Sequence, residues 1–169
     1  MTSADLLADA YGRVREAVHE AVEGLTADQL AHRPDEQANS VAWLIWHLTR
    51  VQDDHLAEVA GTDQVWTSAG WADRFGLALP ADDTGFGHAP ADVAAVRVDS
   101  GELLTGYHDA VAEESARFLQ QLADEDLDQI IDPGWDPPVT LGVRLVSVLA
   151  DDLQHVGQAT YLRGLLLRS

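Results

Sequence analysis

Residues 40–60 read SVAWLIWHLTRVQDDHLAEVA, and the order of apolar and polar positions in this stretch decides the fold class. Val41, Leu44, Ile45, Leu48, Leu56 and Val59 recur at three- and four-residue steps, the stripe of an amphipathic helix. Ser40 stands where a side-chain oxygen can cap the first turn, and Gly61 where a left-handed residue can close the last.

The same period recurs on both sides of this stretch. Residues 3–23 carry Leu6, Leu7, Ala10, Val14, Val18 and Val22 behind a cap at Thr2 or Ser3, and Gly24 with the polar run through Pro34 ends that helix. Residues 100–123 place Leu103, Leu104, Tyr107, Val111, Phe118, Leu119 and Leu122 on one side. Thr140 caps a last helix over 141–167, whose stripe runs Leu141, Leu145, Val148, Leu149, Val156, Ala159, Leu162 and Leu166. Glycines and prolines punctuate residues 61–99, which predicts a packed crossover with a short helix near 71–76. Residues 124–139 read as a polar link, and no segment alternates strictly enough to predict a strand. Four long helices with a long crossover between the second and third predict an all-α four-helix bundle, one domain over 1–169.

Composition narrows the function. A formal charge of -19 over 169 residues repels phosphate backbones and anionic lipid, so nucleic acid and membrane are not expected partners. The absence of cysteine excludes disulfides, thiolate metal sites and cysteine nucleophiles, leaving nitrogen and oxygen as metal ligands. The start lacks the pattern of a signal peptide, and no apolar run approaches the roughly 20 residues of a membrane span. A cytoplasmic location is the expectation.

The last helix holds the main anomaly. Asp152 falls near the centre of its apolar stripe, His155 lies within it, and Asp151 sits on its flank beside His155. Carboxylates on a core face are costly unless paired or metal-bound. Asp151 and His155 are four residues apart, so both side chains can reach one ion; they can equally form a hydrogen-bonded core pair. Gln158 stands one turn beyond His155, placed to support it. In the second helix His47 is embedded in the apolar run Trp43-Leu44-Ile45-Trp46-His47-Leu48, at the edge of the stripe, whereas His55 lies nearer its centre. That run also implies that the helix buries more than one face near its start. His19, His32, His88 and His108 read as surface or loop residues. No nucleophile elbow, phosphate loop, HExxH or paired-carboxylate motif is present, so no catalytic base is identified.

These two stretches resemble a known family. Ser40-Val41-Ala42-Trp43-Leu44-Ile45-Trp46-His47-Leu48 is similar to the second-helix signature of the DinB/YfiT-like superfamily. Asp151-Asp152-Leu153-Gln154-His155-Val156-Gly157-Gln158 is similar to its last-helix motif. The resemblance spans nearly the whole chain and is strongest to the branch with mycothiol- and bacillithiol-dependent transferases and the metal-binding domain of mycothiol-dependent maleylpyruvate isomerase. It implies a divalent metal, zinc or nickel first and manganese or iron next, held by His47, Asp151 and His155. Asp151 stands where the superfamily often has histidine, and Asp152 is the alternative carboxylate if the helix is rotated. It further implies a low-molecular-weight thiol as cosubstrate, a small electrophilic substrate and a homodimer, with Gln158, Trp43, Trp46, Trp71 and Trp135 around the pocket. A metal-dependent hydrolase, a non-catalytic metal-binding or stress-associated bundle and a plain interaction domain are the alternative functions.

Overall fold

In the computed structural model, which describes residues 1–168, four long helices form the frame: α1 (Ser3–Val22), α3 (Val41–Ala60), α7 (Gly101–Leu119) and α8 (Leu141–Leu166). Four short helices lie between them: α2 (Ala27–Ala31), α4 (Val65–Ser68), α5 (Trp71–Phe75) and α6 (Pro90–Ala95). The long helices begin where cap chemistry places them. Thr2 accepts a hydrogen bond from the Asp5 amide while the Asp5 carboxylate takes the Thr2 amide, a reciprocal box. Ser40 accepts from Trp43 and Thr140 from Val143. Gly61 closes α3 in the left-handed region at φ 66, a conformation without penalty only for glycine.

Around the bundle, α1 packs on α7 and α8, and α3 packs on the same two helices from the opposite corner. Val14, Val18, Ile45, Leu48, Leu104, Tyr107 and Ala159 meet in one core cluster. A second, at the other end, joins Leu7, Tyr11, Leu56, Leu119, Leu141, Leu145 and Val148. Burial of one such side chain contributes about 1.5–3 kcal/mol.

The expected bundle with its long crossover is the observed fold. The crossover is more ordered than the sequence suggests: besides the helix expected near 71–76, it forms α4 and α6. Asp53 accounts for the docking of α4, since its carboxylate accepts the amides of Val65 and Trp66 and the hydroxyl of Tyr107. The crossover covers the face of α3 that the other long helices leave open, and every residue from Val41 to Arg50 is buried. That accounts for the apolar run around His47. The linker after α1 contains α2, capped by Thr26, and α7 ends at Leu119 rather than continuing to residue 123. The segment expected as a polar link holds a 3-10 turn over Asp124–Asp128 and two short antiparallel strands, Ile130–Asp132 and Val139–Thr140. Strands this short carry no detectable alternation, so the sequence could not reveal them. No helix among the described residues is long and apolar enough to cross a membrane.

Candidate metal centre

His47 on α3 faces His155 on α8 where the two helices cross antiparallel, with ring centroids 4.8 Å apart and planes at 77°. The helical period places Asp151 one turn before His155, and its Oδ1 lies 3.4 Å from His155 Nε2. One ligand atom from each of His47, Asp151 and His155 falls within 4.8 Å of the others. Two imidazole nitrogens and a carboxylate oxygen at this separation match the donor set of a borderline divalent cation.

The hydrogen bonds around the rings decide which nitrogens are available. The Thr84 carbonyl lies 2.5 Å from His47 Nδ1, so Nδ1 carries the proton and Nε2 keeps its lone pair. His155 Nδ1 donates to Gln158 Oε1 at 3.3 Å, which leaves Nε2 facing Asp151, where a cation would take the place of the proton it shares with that carboxylate. Burial pushes the His47 pKa down, against the opposing effect of the Thr84 carbonyl, and keeps the ring neutral. The hydrogen bond that His155 donates to the Asp151 carboxylate raises the His155 pKa more than burial lowers it. Burial favours the protonated form of Asp151, but the hydrogen bond and charge of His155, followed by His47 and His55, outweigh it and hold the carboxyl below its usual range. Asp151 Oδ2 is buried with no hydrogen-bond partner among the described residues. A buried anionic oxygen without a donor is costly, and a cation between the three groups satisfies it, so the residues present fit a divalent metal.

Other candidates fall into place around this centre. Trp43 stacks on His47 with centroids 4.5 Å apart, and Gln158 Oε1 lies 3.3 Å from His155 Nδ1. Asp152 does not join the group: it is fully buried on the adjacent face of α8, and burial, then the charge of Asp151, push its pKa well above the usual range. Trp46 stacks on His88 at the rear of the site. Trp71 packs instead against Tyr107, and Trp135 is 68% exposed in the linker before α8. His55, the more inward of the two by periodicity, is only half-buried because it opens onto a cavity shared with Val51, Phe86 and Arg144, whereas His47 is 6% exposed beneath Thr84 and Trp43. His108, expected at the surface, is fully buried and hydrogen-bonded to Thr49.

Against that geometry the comparisons with known proteins are decisive for the family. The DinB superfamily profile matches residues 10–159. The chain belongs to the DinB superfamily. The crystal structure of a conserved protein from Enterococcus faecalis superposes on this DinB chain with a TM-score of 0.93 and 33% sequence identity, over 100% of this chain and 99% of that one. No protein of curated function matches it.

The sequence reading missed one part of this DinB centre, the crossover residues Asp83, Thr84, Gly85 and His88. The available signal was a histidine and an aspartate flanking two glycines, the residues that let a backbone approach closely. Nothing local linked them to His47, which is 37 positions away from Thr84.

Proposed function

We propose that this DinB superfamily protein is a divalent-metal-dependent enzyme that transfers a low-molecular-weight thiol to a small electrophile, with His47, Asp151 and His155 holding the cation. The observation that carries this reading is the convergence of those three ligand atoms beside a cavity of about 500 Å³ between α3 and α8, lined in part by Val51, His55, Phe86 and Arg144. When bound, such a cation supplies a Lewis acid that keeps a thiol ionised at neutral pH.

The chain's own residues set the rest. Asp151 contributes one negative charge among two neutral imidazoles, so the loaded centre keeps net positive charge to attract a thiolate. Trp43 and Trp46 close the side of His47 away from the cavity. At the opposite end, two turns or about 11 Å along the helix, Arg144 donates to His55 Nδ1 at 3.1 Å and pairs with Glu58 at 2.9 Å. Phe86, 91% exposed, lines the mouth and offers an apolar contact to an incoming electrophile.

A homodimer belongs to the same reading. Val143, Val146, Ala150, Leu153, Gly157 and Tyr161 form an exposed uncharged stripe along α8, and two copies carrying -19 each can approach most cheaply on such a face.

The test is a thiol-transfer assay on zinc- and nickel-loaded protein, with a panel of small thiols and an activated aryl halide. Turnover that His155→Ala abolishes supports the proposal. Rates no higher than those of His155→Ala for every thiol overturn it, and hydrolysis of activated esters by the same loaded protein would assign a hydrolase instead.

A further inference from the structure

The crossover stretch Asp83–His88 rests on the face of α3 that carries His47, and every polar group that fastens it there has a defined role. The Thr84 carbonyl accepts from His47 Nδ1 at 2.5 Å. The preceding carbonyl, of Asp83, accepts from Nε of the fully buried Arg50 at 3.1 Å, one turn further along α3. The Trp43 indole N–H, which can only donate, reaches His88 Nδ1 at 3.0 Å. His88 Nδ1 is therefore the acceptor, and its proton sits on Nε2, which donates to the Asp83 carboxylate at 2.9 Å. That carboxylate also accepts the Gly85 amide at 2.7 Å. Trp43 and Arg50 bracket His47 on α3, so the loop is anchored before and after the imidazole.

The fit of loop to ring is close. Gly85 has φ +90, and a Cβ built on it would lie 2.8 Å from His47 Nδ1, 3.0 Å from the Trp46 ring and 3.3 Å from the Trp43 ring. Gly87 also has a left-handed φ, +73, yet a Cβ there meets nothing within 4 Å.

We propose that the Asp83–His88 loop is a positioning device for the metal centre, in which Asp83 and His88 are positioning residues and Gly85 is the contact that admits the loop. They hold the Thr84 carbonyl against His47 Nδ1, and so fix both the ring orientation and the tautomer that leaves Nε2 free to ligate. The inference rests on His47 being a ligand. Partners that orient a ligating histidine typically change metal affinity by about 10- to 100-fold.

The paired glycines give the experiment. An alanine at Gly85 or Gly87 incurs similar backbone strain, but only the first displaces His47. Zinc affinity is measured by competition with a chromophoric chelator, and the visible spectrum of the cobalt-loaded protein reports coordination directly. Gly85→Ala is expected to weaken zinc binding on the order of tenfold or more and to alter the cobalt spectrum. Gly87→Ala, with a comparable melting temperature, is expected to do neither. Asp83→Ala, at a partly buried position outside the helices, carries the same expectation of weakened binding should Gly85→Ala fail to fold. Equal affinities in Gly85→Ala and Gly87→Ala, or unchanged affinity in Asp83→Ala, overturn the proposal while leaving the centre in place if His155→Ala still abolishes binding. Wild-type binding that persists in His47→Ala overturns the ligand assignment, and the positioning role with it.

Discussion

The indole of Trp43 lies nearly flat on the imidazole of His47, with ring centroids 4.5 Å apart and planes 17° from parallel, and stands nearly perpendicular to the His155 ring with centroids 6.0 Å apart. A tryptophan in contact with both histidines reports on whatever they bind. Nickel or cobalt is expected to quench a saturable share of the tryptophan emission, at one equivalent. Trp43→Phe removes that share and leaves the response of the other four tryptophans. An undiminished response in Trp43→Phe would place the ion elsewhere.

Replacing His155 with alanine removes one nitrogen from the set and frees the partner of Asp151. Metal content of protein purified without an affinity tag is expected to fall from near one equivalent to near zero, while far-ultraviolet circular dichroism stays within a few per cent of wild type. Helicity survives because His155 lies at the rim of the α3–α8 packing, not in either core cluster.

Asp152 gives a stability prediction with a definite sign. Its carboxyl is fully buried, neither oxygen has a hydrogen-bond partner among the described residues, and its pKa is raised above the unfolded value. A raised carboxyl favours the folded state fully below the unfolded pKa, and that contribution is lost as pH rises toward the folded one. Asp152→Asn removes the dependence. Its melting temperature should exceed that of wild type by more at pH 8 than at pH 4, with metal stoichiometry unchanged. Loss of metal in this variant would make Asp152, not Asp151, the ligand.

His108 titrates with the opposite consequence. The Thr49 hydroxyl donates to the Ile45 carbonyl at 2.7 Å, so it accepts from His108 Nδ1, and the bare Nε2 is buried without a partner among the described residues. Burial pushes the pKa down from 6.5 to about 4, and Asp109, His19 and Arg15 are the charged groups that modulate it. Because the unfolded chain takes up the proton first, stability is retained above pH 6.5 and falls as pH drops toward about 4. The loss is on the order of 3 kcal/mol. Denaturant melts of wild type and His108→Gln over this range check it, the variant losing correspondingly less.

The exposed stripe on α8 makes the oligomeric state testable with one charge. Under the homodimer proposed above, Leu153→Glu places an acid at its centre and should shift elution in size-exclusion chromatography from dimer to monomer without changing the melting curve by more than a few degrees; elution of the unaltered protein as a monomer overturns that proposal.

How much of this was legible follows from the range of the interactions. The caps at Thr2, Ser40, Thr140 and Gly61 were readable because each is completed within a few residues of itself. So was the pairing of Asp151 with His155, since one helical turn carries it. The ranking of His47 against His55 was not, because it depends on where the crossover lies over α3. His108 was misjudged for a related reason: its partner Thr49 is 59 positions away on a different helix.

Helical periodicity and end chemistry are short-range, so the sequence alone determined the four long helices, their order and the shared face of Asp151 and His155. Tertiary structure decided which histidine of α3 meets that face, that Asp152 is walled off from it, and that Thr84 and Gly85 close over His47. Those outcomes depend on long-range packing and on closing the long chain between α3 and α7, terms that no local pattern encodes.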